Sequence, residues 1–154
     1  MPYKAEELSV NWIESDSDLS QAVASFDTVV GIDSEFKRTN TFYPIPALYQ
    51  VASQKEIFLI DPLSIQDWSP FIDFLEDRSY RKIFHACQED LELLASHMSV
   101  APKNVFDTQF AYAFLSDAYS LSYANLVEEM LGVSLQKNET RSDWLQRPLT
   151  SAQV

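Results

Sequence analysis

Asp33 and Glu35 sit one residue apart at the end of the apolar run Val29-Val30-Gly31-Ile32, in the stretch VVGIDSEFKR, and their types and spacing suit them to chemistry. Side chains alternate across a strand, so two carboxylates at this spacing project from the same face. Like charges held that close repel, and one of them takes up a proton unless a cation sits between them. Hard divalent cations such as Mg²⁺ prefer oxygen ligands, which makes a strand-end pair of this kind half of a metal site. A solvated strand end gives the same pattern, so the pair gains meaning only with further ligands. Asp90, in HACQEDLELL, supplies one: it follows a buried-looking strand and falls in the first turn of the next helix, where the helix dipole also favours a carboxylate. Hydrolysis assisted by two metals needs three or four carboxylates from separate elements, and Asp33, Glu35 and Asp90 begin such a set. An aspartyl-nucleophile phosphatase would want a second Asp two positions after the first, where this chain has Glu35.

Such residues need a scaffold. Residues 28–35 alternate little and read as a central strand covered on both faces. The turn-rich KRTNTFYPIP follows, and then two short strands, 47–53 and 56–61, split by Gln54-Lys55 as in a hairpin. Together they predict a three-strand antiparallel meander. Downstream the rhythm changes to a helix over 67–77 with Asp67 as N-cap, a strand over 81–86, a helix over 87–98, a strand over 104–108, and two further helices. TQFAYAFLS forms the first of these and LSYANLVEEMLG the second, closed by Gly132 in a left-handed cap. An α/β domain with a mixed sheet flanked by helices is the expected class.

Composition bounds the function. The 154 residues suit one domain, 46% of them are apolar, and no stretch has the length and hydropathy of a membrane span. The start lacks the layout of a signal peptide, so a cytoplasmic protein is expected. Cys87 is the only cysteine, which excludes an intramolecular disulfide and fits a small buried residue better than a nucleophile. A formal charge of −12 excludes gripping nucleic acid by bulk electrostatics.

Several separate motifs, GIDSEFKRTNTFYP, FLIDPLSIQDWSP, FHACQEDLELL, VFDTQFAYAF and VEEMLGVSLQKNETRSDWLQRPLTSAQ, together resemble the catalytic domain of ribonuclease D, a 3′→5′ exoribonuclease of the DEDD superfamily. The similarity runs in register from about Val29 to Gln153. It implies a ribonuclease-H-like fold and hydrolysis of RNA 3′ ends, those of structured RNAs such as tRNA precursors, to nucleoside 5′-monophosphates with two divalent ions, Mg²⁺ or Mn²⁺. Carried over by position, Asp33 would bridge both metals, Glu35 would bind the metal on the side of the attacking water, and Asp90 would hold the metal at the leaving group. Phe36 is a candidate to stack on the terminal base or else a core residue. His85 is a candidate for a phosphate or ribose contact, or a strand-end histidine hydrogen-bonded to backbone. Lys37, Arg38, Lys137, Arg141 and Arg147 are the basic residues nearest the motifs and candidates to track the RNA backbone. Asp107 reads as an N-cap, Trp144 as a packing residue, and the aromatic stretch 106–123 as core.

The family's third motif adds a Tyr and, four residues on, an Asp in a helix after the segment matching RPLTSAQ, and this sequence ends at Val154. The expectation is therefore a single exonuclease domain over 1–154, C-terminally incomplete and without the helical RNA-binding domains that follow in ribonuclease D. Weak, distributive RNA binding is expected of it, and self-association through apolar surface exposed by the missing helix. The alternative is a catalytically inactive relative that binds RNA or a protein partner.

Overall fold

The apolar run that ends in Asp33 forms a strand at the middle of a six-stranded sheet. The computed structural model describes residues 8–38, 40–117, 119–135 and 142–154. In chain order its elements are β1 (Ser9–Ile13), α1 (Asp16–Ser25), β2 (Val29–Lys37), β3 (Ile45–Ala52), β4 (Glu56–Ile60), α2 (Ser69–Glu76), β5 (Arg81–Phe84), α3 (Gln88–Met98), β6 (Val105–Asp107), α4 (Thr108–Tyr112) and α5 (Tyr123–Leu131). The sheet order is β1-β4-β3-β2-β5-β6. β2, β3 and β4 form the antiparallel meander read from the sequence. β1 joins β4 in parallel, β5 joins β2 in parallel, and β6 joins β5 in parallel, so the sheet is mixed as expected.

The core fills one side of the sheet. Val30 and Ile32 of β2, Tyr49 and Val51 of β3, and Phe58 and Ile60 of β4 meet Leu19 of α1, Phe71, Phe74 and Leu75 of α2, and Leu93 and Leu94 of α3. Alternation along β2 thus sends Val30, Ile32 and Ser34 inward and leaves Gly31, Asp33 and Glu35 on the opposite face. No helix among the described residues is long and apolar enough to cross a membrane.

β1 and α1 lie upstream of every element read from the sequence. α1 is stopped at its start by Ser15, whose hydroxyl accepts from the Asp18 N–H at 3.1 Å, and buries only Leu19 and Ala22. Two buried positions in ten residues leave little periodicity to read. The second helix begins at Ser69 rather than at 67, and Asp67 is not its N-cap. Instead Asp67 Oδ1 accepts from the Ser69 N–H at 3.0 Å in the turn before, while Pro70, which needs no donor, opens the helix. α4 is shorter than TQFAYAFLS implied, because after Tyr112 the hydrogen bonds tighten to three-residue spacing, Phe114 N–H to Ala111 and Leu115 N–H to Tyr112. α5 ends as read: Gly132 is left-handed at φ 69° and donates to Glu128 O at 2.9 Å.

The aromatic stretch 106–123 is not core. Tyr112 alone among its aromatic residues is buried, with its hydroxyl on Glu129 Oε1, while Phe110, Phe114 and Tyr119 are 68%, 77% and 83% exposed. With α4 only five residues long, its turns present the rings outward rather than to the sheet.

Arg147 does not track a backbone at the surface. It forks onto Asp61, Nη2 to Oδ1 at 2.6 Å and Nε to Oδ2 at 3.0 Å, and donates to the Ala47 carbonyl at 2.7 Å, tying the 142–154 segment to β3 and the end of β4. Burial pushes the Asp61 carboxyl up, but the Arg147 fork and the Leu63 N–H outweigh it and hold it below the ordinary carboxylate range. Arg38 is ion-paired with Glu92 at 2.9 Å. Lys137 and Arg141 lie outside the described residues.

Candidate active site

β2 has neighbours on both edges, so the carboxylates it carries rest on an interior strand held from both sides. Asp33 pairs across to Gln50 and Glu35 to Leu48, just before the register shifts between Glu35 and Phe36. Asp90 enters from the first turn of α3, between β5 and the rest of that helix. Structure and sequence agree on the elements that hold these three residues, and electrostatics shows them sharing one environment. Burial raises the Glu35 carboxyl from 4.5 to about 7, with repulsion from Asp33 and Asp90 adding to it. Burial likewise raises Asp90 to about 6; the Ser34 hydroxyl opposes the shift and Asp33 reinforces it. Asp33, although exposed at the surface of the recess, also moves up because the protein around it displaces solvent, against the Ser34 N–H that donates to its Oδ1 at 2.9 Å and against His85.

The start of α3 is set by a residue that the sequence reading credited with one helix only. Asp107 caps α4 as expected, accepting from the Gln109 and Phe110 N–H groups. It also accepts from the N–H groups of Ala86 at 3.1 Å and Cys87 at 2.8 Å, the turn that launches α3. Ala86 is left-handed there, at φ 56°. Burial pushes Asp107 up, yet these donors together hold its carboxyl below the ordinary range. One carboxylate therefore fixes the relative positions of β6, α4 and the helix that carries Asp90. Sequence alone showed an Asp before a helix; its second set of donors lies twenty residues upstream and needs the parallel β5–β6 pair to bring it close.

A recess of about 470 Å³ opens beside Asp33, lined by Gly31, Gln50, Ile83, His85, Thr108 and Tyr123 among others. His85 is in this wall, with both ring nitrogens engaged: Nδ1 lies 2.9 Å from Thr108 Oγ1, and Nε2–H donates to the Leu121 carbonyl at 2.9 Å. Its ring meets Tyr123 edge-on, centroids 5.5 Å apart. Phe36 is half-buried and packs against the core. Tyr123 reads from the sequence only as part of the aromatic stretch expected in the core, and Gln50 carries no signal of its own; the fold brings both to the recess beside Asp33.

Three carboxylates without sulfur are the donor set of a hard divalent cation. Loss of solvent raises all three, and repulsion among them adds to the rise of Glu35 and Asp90. Among the described residues no three His, Cys, Asp or Glu side chains close to ligating distance around a common point. Donor chemistry and field thus suit a cation, while the side chains stand open.

A mixed sheet flanked by helices, with two carboxylates on its central strand and a third at a helix start beside it, is a ribonuclease-H-like fold. A family model described as 3′-5′ exonuclease matches residues 5–154, and the chain belongs to that family. It is 46% identical over 147 residues to ribonuclease D of Pseudomonas paraeruginosa, an alignment covering 94% of this chain and 39% of that protein. The crystal structure of Escherichia coli RNase D, described as an exoribonuclease involved in structured RNA processing, superposes with a TM-score of 0.88 at 41% identity. That match covers 95% of this chain and 40% of the other. Trypanosoma brucei RNase D, solved in complex with RNA U12, shares the fold at a TM-score of 0.83 and 22% identity over 94% of this chain and 56% of that one. The chain thus spans about two fifths of the length of the bacterial relatives it matches.

Proposed function

We propose that this domain removes nucleotides one at a time from RNA 3′ ends, structured RNAs such as tRNA precursors among them, releasing nucleoside 5′-monophosphates. The observation that carries the reading is the group of three carboxylates, Asp33, Glu35 and Asp90, whose proton affinities rise together on a 3′-5′ exonuclease fold. These three would hold the divalent cations, Mg²⁺ or Mn²⁺. When bound, such ions lower the pKa of water and neutralise charge on the scissile phosphate.

The protein's own residues do the positioning. β2 fixes Asp33 and Glu35 on one face, and the Asp107 cap fixes the origin of α3 and hence Asp90. The recess beside Asp33 is the right size for a single nucleotide unit at the chain terminus. Tyr123 and the face of His85 offer aromatic surface to a base, as does the part of Phe36 that the core leaves uncovered.

A time course on 5′-labelled RNA with a free 3′ end tests the reading. The expected result is a 3′-shortening ladder that needs Mn²⁺, stops with EDTA and is lost in Asp33→Ala. Absence of a ladder, both from this chain and from a longer chain that includes the third motif, refutes it.

A further inference from the structure

Ser34 lies between the two strand carboxylates in sequence but on the other side of β2. The inward positions before it are Val30 and Ile32, so a hydroxyl here interrupts an apolar row. Burying a hydroxyl is unfavourable unless it is hydrogen-bonded, and nothing about packing alone asks for one at this point. Ser34 is 9% exposed and Asp90 is 8% exposed, and Ser34 Oγ donates to Asp90 Oδ1.

A second hydrogen bond registers the same helix. Tyr49 is the cross-strand partner of Ser34, and its hydroxyl lies 2.8 Å from His97 Nδ1. His97 is seven residues after Asp90, two turns on along the same face of α3, and the buried Leu93 and Leu94 lie between them. His97 is further held between rings, stacked on Tyr49 with centroids 5.9 Å apart and edge-on to Trp68 at 5.1 Å. The far end of the helix is thereby set in position over β3, which leaves the Asp90 side chain to be oriented at the near end.

We propose that Ser34 is a positioning residue for the metal site: its hydroxyl ties one Asp90 oxygen to the sheet and turns the other toward Asp33 and Glu35. The inference rests on the proposed function, since it takes the three carboxylates as cation ligands. An aspartate has two rotatable side-chain bonds, and without the hydroxyl the carboxylate at the head of α3 is free to swing away from the strand pair. Hydrogen-bond partners of metal ligands orient them in this way, and losing one typically weakens metal binding about 10- to 100-fold.

Thr and Val have the same shape and differ in the hydroxyl, so Ser34→Thr and Ser34→Val isolate it, with Ser34→Ala as a third variant. The readout is the dissociation constant for Mn²⁺, from the electron paramagnetic resonance signal of free Mn²⁺ titrated with the full chain, alongside unfolding midpoints in EDTA. The expected result is binding within about threefold of wild type for Ser34→Thr and about 10- to 100-fold weaker for Ser34→Val and Ser34→Ala. A merely structural serine would change the EDTA midpoints and leave the Thr and Val variants alike in Mn²⁺ affinity, and equal affinities overturn the proposal. If wild type itself binds no Mn²⁺, the metal reading of the site fails and takes this inference with it, a result distinct from wild-type binding that Ser34→Val matches.

Discussion

Replacing Glu35 by Gln in metal-free protein should raise stability at pH 8 and leave it almost unchanged at pH 4. The folded protein lifts the Glu35 carboxyl from 4.5 to about 7. Folded protein therefore holds this proton more tightly than the unfolded chain, and stability falls as pH rises from about 4.5 through about 7. At about 1.4 kcal/mol per tenfold change in proton affinity, the full cost above pH 7 is about 3 kcal/mol. Gln still gives up part of its hydration on burial, so about 2 kcal/mol of gain is the reasonable expectation. For a domain of this size that corresponds to a rise of roughly 4–8 °C in Tm. Thermal unfolding in EDTA at half-unit steps between pH 4 and 8.5 measures it for wild type and Glu35→Gln. Wild type should lose stability across the window, less steeply in the variant, and saturating Mn²⁺ should restore wild type far more than Glu35→Gln. A wild-type profile that is flat between pH 4.5 and 8, or that rises, would refute the burial and repulsion that raise the Glu35 carboxyl.

Removal of the Arg147 guanidinium leaves Asp61, whose side chain is 5% exposed, without its charged partner. Breaking a buried pair on one side typically costs 3–5 kcal/mol, and since Arg147 keeps 23% of its side-chain exposure, about 3 kcal/mol is expected of Arg147→Ala in urea unfolding; a loss under about 1 kcal/mol would show that the fork does not anchor the segment. Burial, and then its hydrogen bond to Asp107, push the Cys87 thiol up to about 11, so at pH 8 it should react with a thiol reagent about 100-fold more slowly in folded than in unfolded protein. Equal rates would mean that the turn before α3 opens readily.

What the sequence makes legible follows from the range over which each signal acts. Asp33 and Glu35 could be placed on one face because strand alternation is local, and Asp90 could be placed at a helix head because its dipole preference and apolar spacing are local too. Gly132 announces its left-handed cap for the same reason. Asp107 was readable as the cap of α4, and its grip on Ala86 and Cys87 was not, because those donors arrive through strand pairing. Arg147 reads as a surface cation until Asp61, 86 residues earlier, is brought beneath it. Ser34 carried a signal that strand periodicity contains, a hydroxyl at an inward position, but its meaning depends on which helix lies above. The aromatic stretch 106–123 misleads for a further reason: ring content signals burial only where an element is long enough to turn a face to the core, and α4 is one turn and a half.

These placements change how the charge of −12 bears on RNA. Of the basic residues near the motifs that the structure describes, Arg147 is committed to Asp61 and Arg38 pairs with Glu92, which leaves Lys37 at the end of β2. Among the described residues near the motifs, attraction to phosphates through lysine and arginine, the usual source of affinity and of its salt dependence, is therefore small. Under the proposed function what remains is local: cations that Asp33, Glu35 and Asp90 would hold, whose charge would reverse the sign of the potential at the mouth of the recess, and the aromatic surface of Tyr123 and His85 behind it. On that reading, grip on the terminal nucleotide and cation binding would be one event rather than two. The rigid parts of the fold follow that division, with β2 paired on both edges and α3 fixed by Asp107 at its head and by Tyr49 toward its tail, so that a cation bound there would offset the loss of solvent that raises the three carboxyls.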